Sequence, residues 1–143
     1  LTLRLFDEGD RPWVSELLGD RTIYAYLTDL TDPDAGRLWF DGVAGRRNYG
    51  FLMICHRHDH RRLGLIVIHR FPDRGLHVGG FLGSDDRGQG YAAEAVRALR
   101  DLAGDMPLYA DIDPENARAR HLMDAIDARR LVRNVPGRLE FQL

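Results

Sequence analysis

The sequence of 143 residues contains no lysine. All its basic side chains other than histidine are arginines, which excludes lysine nucleophiles, Schiff-base chemistry and a Walker-type phosphate lysine. Cysteine is nearly as scarce. Cys55 stands alone in an apolar stretch and reads as a small core residue, so no internal disulfide and no CxxC metal or redox pair can form. A reducing, cytoplasmic setting is the expectation. An excess of one charge is also lacking: 20 basic residues face 22 acidic ones, a net charge of -2, which gives no general drive toward nucleic acid. No run approaches the roughly 18 consecutive apolar residues of a membrane span. Neither nucleic acid nor a membrane is expected as a partner. No charged leader with an apolar h-region opens the sequence, although Leu1 is not read as the natural start, and secretion is unsupported. Internal repeats, linkers and low-complexity runs are missing too, so residues 1–143 are expected to form one domain.

What is present reads as alternating strands and helices. Thr2 to Leu5 alternates as a strand, and Asp10 with Pro12 resembles a helix N-cap followed by a first-turn proline. The helix carries Trp13, Val14, Leu17 and Leu18 at helical spacing and ends at Gly19-Asp20, while Asp32-Pro33 signals a second helix with Leu38, Trp39 and Val43. Tyr49 to Cys55 and Leu63 to His69 form a hairpin around the polar HRHDHRR segment, and Leu76 to Leu82 adds a third antiparallel strand after a turn at 71–75. Gly79-Gly80 inside that strand suggests a bulge or a close backbone approach. Ala92, Ala95, Val96, Leu99, Leu102 and Ala103 form the stripe of an amphipathic helix. Leu108, Ala110 and Ile112 share one face of a further strand, Asp113-Pro114 starts another helix, and Leu131 to Asn134 pairs with Leu139 to Leu143. The order β-α-α-β-β-β-α-β-α-β-β predicts an α/β or α+β layer fold with a mixed sheet.

The chemistry concentrates where the strand ending at Leu82 runs through a glycine-bearing turn into the helix that opens at Tyr91. Free amides at a helix start, aided by the helix dipole, suit a phosphate or pyrophosphate. RGQGYA has neither the spacing of a dinucleotide-binding GxGxxG nor the GK[ST] of a P-loop. It does fit the acyl-CoA loop Q/R-x-x-G-x-G/A of the GNAT superfamily of N-acyltransferases, which the chain resembles through Arg87, Gly90 and Ala92, the continuation GYAAEA, the downstream DPENARARHLM and the opening LTLRLFDEGD. The similarity is strongest to the branch that acetylates protein N-termini, of the ribosomal-protein-alanine type.

The resemblance implies a mostly antiparallel sheet of six to seven strands with about four helices, splayed between its fourth and fifth strands. It implies acetyl-CoA as cosubstrate and a primary amine, a protein N-terminus or a small molecule, as acceptor, with no metal. The strand from Val78 to Leu82 would line the pantetheine arm through backbone groups near Phe81, Leu82 and Gly83. Arg87, Gly88, Gln89, Gly90, Tyr91 and Ala92 would hold the pyrophosphate, and Asn116 would reach the pantetheine from the next helix. His77 occupies a place that often holds a glutamate suspected as general base, and an imidazole can serve there. Three positions depart from the family pattern. Met123 stands where many members have a tyrosine proposed as the acid, and Asp127-Ala128 replaces a common Gly-Phe. These departures motivate an alternative, a CoA-binding regulatory or interaction module with reduced catalysis.

Other candidates have plainer readings. Glu94 is read as structural or solvated, Ser84, Asp85 and Asp86 as turn and cap residues, and His56, His58 and His60 as a solvated hairpin tip. Asp111 and Asp113 end a strand where substrate could approach, with capping by Asp113 preferred. Arg118 and Arg120 flank Asn116 and are read either as solvated or as meeting a CoA phosphate. Tyr24, Tyr26, Trp39 and Phe40 are read as core aromatics or as walls of the acceptor groove. A homodimer is compatible with the sequence but is not readable from it.

Overall fold

A computed structural model of the chain describes residues 1–23, 34–132 and 136–143. The elements follow in the order β1 (Thr2–Leu5), α1 (Arg11–Leu17), α2 (Ala35–Val43), β2 (Tyr49–Cys55), β3 (Arg62–Phe71), β4 (Gly75–Leu82), α3 (Tyr91–Ala103), β5 (Leu108–Ile112), α4 (Ala117–Ala125), β6 (Arg129–Leu131) and β7 (Leu139–Gln142). The strands form one 7-stranded sheet in the order β1-β2-β3-β4-β5-β7-β6. All neighbours are antiparallel except β4 and β5. The expected mixed sheet with its flanking helices is what forms. The Asp32-Pro33 signal, Tyr24, Tyr26 and part of the last hairpin lie outside the described residues. Among the described residues no helix is long and apolar enough to cross a membrane.

Helices cover both faces of the sheet. On one side Val14, Leu17 and Leu18 of the α1 region and Phe40 and Val43 of α2 pack on Phe51, Met53, Leu65 and Val67. Phe40 is the centre of this layer, edge-on to Phe6 at 5.4 Å and to Phe51 at 5.0 Å, contacts that add about 0.5–1.5 kcal/mol each beyond area burial. On the other side Ala95 and Leu99 of α3 meet Ile54, Leu63, Ile66, Val78 and Leu108, and Met123 of α4 meets Val96, Ile112, Ile126 and Phe141. The odd positions of β4 therefore face α1 and α2, and the even ones face α3.

Several local expectations are corrected. The bulge is not at Gly79-Gly80, because the β3–β4 register runs unbroken from Gly64↔Leu82 to Phe71↔Gly75; it lies at Leu63 on β3, the extra residue between the pairs Ile54↔Gly64 and Cys55↔Arg62. The register shift has a purpose in the packing: Leu63 and Leu65 sit two apart yet enter opposite core layers. The expected close backbone approach is present at Gly80, where a Cβ would lie 3.1 Å from the Leu65 carbonyl oxygen, and it is closer still at Gly64 on β3, where a Cβ would run into the Phe81 carbonyl oxygen.

Asp10 stands at the N-cap position of α1 but does not cap it. Its fully buried carboxylate accepts from Arg4 Nη1 and Nη2 and from Arg62 Nε, each at 2.7 Å, and from the Asp7 amide at 3.1 Å. Helix α4 starts three residues beyond Asp113-Pro114. Asp113 Oδ1 accepts from the Glu115 amide at 2.8 Å and closes a turn, after which Asn116 becomes the cap, its Oδ1 accepting from the Ala119 amide at 3.0 Å. The last hairpin pairs Arg129, Arg130 and Leu131 with β7, so the strand begins two residues before the expected start at Leu131.

The end of α4 explains one of the family departures. Asp127 has φ 53, a left-handed conformation, and the Ala128 amide donates to Met123 O at 2.9 Å while the Asp127 amide donates to Asp124 O at 3.2 Å. This pair of bonds is a Schellman motif with aspartate at the position that glycine favours. The backbone keeps the turn although the side chain differs.

Candidate active site

The parallel pair at the middle of the sheet is short. Only Leu76↔Leu108 and His77↔Tyr109 are in register, and beyond them the two strands part. Backbone alternation then decides what faces the opening. Leu76 N–H donates to Pro107 O on the β5 side at 3.1 Å, and Gly83 N–H donates to Leu63 O on the β3 side at 2.9 Å. Even-numbered residues of β4 thus direct their N–H and C=O toward β5; the Val78 amide completes the last register pair, and beyond it the Val78 carbonyl, both Gly80 groups and the Leu82 amide face the opening. Phe81 spends its backbone on Leu65 of β3, leaving its side chain half-buried against the α1–α2 layer. Of the residues whose backbone groups are expected along the pantetheine arm, Leu82 directs its amide to this opening and Phe81 directs its own to β3.

At the far end of this opening, Gly83 leads into a short 3-10 turn at Ser84–Asp86 and then into the glycine loop. Gly88 and Gly90 have φ 76 and 83, which L side chains rarely adopt, and a Cβ at either would meet no protein atom within 4 Å. The two glycines serve the backbone path and leave the loop surface open. Gly90 precedes α3, whose first-turn amides, Tyr91 and Ala92 among them, have no intrahelical acceptor. Gln89 Nε2 donates to Asp85 O at 2.8 Å. Arg87 turns inward: its Nε donates to Leu82 O at 3.1 Å, its Nη1 to Thr22 Oγ1 at 2.7 Å, and its Nη2 pairs with Asp20 at 3.1 Å. Hydrogen bonds from Thr22, with help from Arg87, hold the Asp20 carboxyl below the usual carboxylate range. Asp86 is buried and pairs with Arg61 Nη1 at 2.7 Å, so the HRHDHRR turn braces the loop from outside. His56 and Asp59 form a local pair at 2.8 Å, and among the described residues no histidine or acidic cluster of metal-holding type occurs.

His77 lies at the point where the strands separate, on the face that looks toward α1 and α2. Its Nε2 is 2.7 Å from Asp111 Oδ1, two residues beyond its register partner on β5. Asp111 is held in turn by Arg138, whose Nε donates to Oδ2 at 2.8 Å and whose Nη2 donates to the Asp111 carbonyl at 3.1 Å. The hydrogen bond from His77, reinforced by Arg138, keeps the Asp111 carboxyl below its ordinary range against the opposing effect of burial. Phe71, Arg74, His77, Tyr109, Asp111 and Glu140 line a cavity of about 170 Å³. On the neighbouring strand His69 pairs in register with His77 and stacks on Tyr49 at 4.3 Å. Burial and then the charge of His77 push the His69 imidazole down from its ordinary range.

Some candidates take other roles. Met123 is buried in the core, which gives it a packing role and no proton to offer. Phe40 is buried and Trp39 packs beside it, so both belong to the core layer of α2. Glu94 lies on the exposed side of α3. Arg118 and Arg120 are exposed. The arrangement of Asp111, Arg138 and Glu140 around His77 escapes a sequence reading because it depends on the β4–β5–β7 register.

The sequence comparisons agree with this architecture. The acetyltransferase (GNAT) domain model matches residues 1–129, and the chain belongs to that family. No curated protein matches the sequence at a significant level. Solved structures share the fold at low identity. A domain from Methanocaldococcus jannaschii DSM 2661 superposes with a TM-score of 0.83 at 14% identity, over 99% of this chain and 96% of that one. An acetyltransferase from Agrobacterium tumefaciens str. C58 gives 0.78 at 23% identity, over 99% and 89%. Spermidine N-acetyltransferase from Vibrio cholerae, solved with CoA and spermine, gives 0.76 at 15% identity, over 99% and 92%. The similar structures span several acceptor types, and no one branch of the family dominates.

Proposed function

We propose that the protein transfers an acetyl group from acetyl-CoA directly to a primary amine, with His77 as the general base. The observation that carries this reading is the His77–Asp111 contact of 2.7 Å at the mouth of the β4–β5 opening. An acceptor amine is mostly protonated near neutral pH, so a proton acceptor must stand where the amine meets the thioester. An imidazole backed by a carboxylate is suited to that task. Acetyl-CoA would supply the activated thioester.

The chain's own groups fit that cosubstrate. The backbone of Val78, Gly80 and Leu82 offers hydrogen bonds along the opening, with Gly83 at its end. Gly88, Gln89, Gly90, Tyr91 and Ala92 offer amides and open space for a pyrophosphate. Arg87 holds the loop in shape through Leu82 and Asp20, and Asn116 keeps its amide nitrogen available after capping α4. The amine acceptor is a protein N-terminus or a small molecule. The resemblance of LTLRLFDEGD and DPENARARHLM to the N-terminal acetyltransferases supports the first.

Thiol release with acetyl-CoA and a panel of peptides, polyamines, aminoglycosides and amino acids tests the reading. CoA release with at least one amine, lost in His77→Ala, is the expected result. Acetyl-CoA binding without release on any amine would establish the alternative, a binding module with reduced catalysis. No binding in calorimetry would remove both.

A further inference from the structure

His77 has two ring nitrogens, and their surroundings differ. Nε2 faces Asp111 Oδ1 at 2.7 Å, whereas Nδ1 has no hydrogen-bond partner among the described residues. Asp111 is not free to rotate away, because Arg138 grips both its side chain, Oδ2 at 2.8 Å, and its backbone carbonyl at 3.1 Å. An ionised carboxylate accepts hydrogen bonds and donates none. The nitrogen facing it must carry the proton, and in a neutral imidazole the other nitrogen then carries the lone pair. His69 is engaged with Asn48 at 2.9 Å, and the Phe71 ring stands perpendicular to the His77 ring at 5.9 Å. Arg74, Tyr109 and Glu140 are the other polar groups lining the same cavity.

We infer that Asp111, clamped by Arg138, is the positioning residue that fixes His77 as the Nε2–H tautomer and makes Nδ1 the atom that accepts the proton of the acceptor amine. This rests on the proposed role of His77 as base. The proton balance is complete. One proton leaves the acceptor ammonium for Nδ1, and the freed lone pair forms the C–N bond as the C–S bond breaks. The second nitrogen-bound proton passes to the departing thiolate, giving free thiol. The imidazolium, its Nε2–H still facing the Asp111 carboxylate, then releases its proton to water.

Nitrogen-15 long-range correlation spectra of the full chain at pH 8 read the tautomer without any need for turnover. Wild type should show the proton on Nε2 of His77. Asp111→Asn, which can donate or accept, should give a mixture of tautomers, and Arg138→Gln should shift the spectrum in the same direction. In thiol-release kinetics both variants should lower kcat, Asp111→Asn by roughly 10²-fold, while KM for acetyl-CoA stays within about twofold. Arg138→Lys should recover part of the loss. A wild-type spectrum with the proton on Nδ1 overturns the inference, as does an Asp111→Asn protein with unchanged spectrum and kcat. If Asp111→Asn does not fold, the wild-type and Arg138→Gln spectra decide. If wild type acetylates no amine, the proposed activity fails, while the spectra still report the tautomer.

Discussion

Arg87 and Asp20 join two segments far apart in the sequence: Nη2 of the arginine lies 3.1 Å from Oδ2 of the aspartate. The arginine of the glycine loop thus points back into the protein and secures the loop to the residues that follow α1.

This pairing makes a specific prediction about acetyl-CoA affinity. If Arg87 acts by shaping the loop, Arg87→Ala and Asp20→Asn should each weaken binding by about fivefold, near 1 kcal/mol, and the double variant should be little worse than the single ones. Calorimetric titration with acetyl-CoA measures all three. A large loss confined to Arg87→Ala would instead mean that the guanidinium reaches the phosphates directly.

Gly90 is expected to tolerate no side chain without cost. At φ 83 an added Cβ opposes the left-handed backbone by about 1–2 kcal/mol, although no protein atom blocks its place. Gly90→Ala should lower acetyl-CoA affinity and thermal stability together. Unchanged affinity would show that the loop does not touch the cosubstrate.

His77→Ala should reduce kcat by roughly 10²- to 10⁴-fold with the productive amine and leave acetyl-CoA binding intact. Thiol release from pH 6 to 9 checks this. Full turnover across that range would transfer the base to another residue.

Asp127→Gly should stabilise the protein by about 0.5–1 kcal/mol, raising Tm by about 2–4 °C, because glycine enters the left-handed turn after α4 without the steric penalty. Activity should be unaffected, since the residue is exposed and does not line the His77 cavity. Thermal unfolding with a paired activity assay is sufficient.

The buried Asp10 gives the protein an acid-sensitive tie. Bonds from Arg4 first, then from Arg62 and the Asp7 amide, hold its carboxyl far below the usual range against desolvation. A carboxyl depressed in the folded state stabilises above its unfolded pKa of about 3.9, and that contribution is lost as pH falls toward the lower folded value. Asp10→Asn should cost about 2–3 kcal/mol at pH 7, less than the loss of a wholly buried pair, because both guanidinium groups keep partial contact with water. The variant should also flatten the fall in stability between about pH 4 and 2. Urea midpoints over that range provide the check.

The sequence revealed most where structure is set by near neighbours. The helical stripe from Ala92 to Ala103, the strand at 108–112 and the loop between β4 and α3 all follow from period and turn chemistry. Asp10 shows where that reasoning stops. Its spacing to Pro12 looks like a cap, but Arg4 and Arg62 come from strands on either side of it in the chain and claim the carboxylate. The partner of His77 was hidden for the same reason. Asp111 lies on the next strand of the sheet only because β4 and β5 are parallel, and Arg138 arrives from β7. Asp127 shows the converse. Its side chain departs from the family pattern, yet the hydrogen bonds around it preserve the turn.

The brevity of the β4–β5 pairing has a mechanical consequence. With two register pairs between them, the panel of β1 to β4 and the panel of β5 to β7 meet at a narrow seam. The amides of Gly80 and Leu82 lie on the open side of that seam, so they should exchange with deuterium much faster than those of Phe81 and Gly79, which are bonded to β3, and than that of Val78, which the His77↔Tyr109 pairing ties to β5. A molecule seated in the opening would act as the missing strand, and the slowing of exchange at alternate residues of β4 would trace its path one amide at a time.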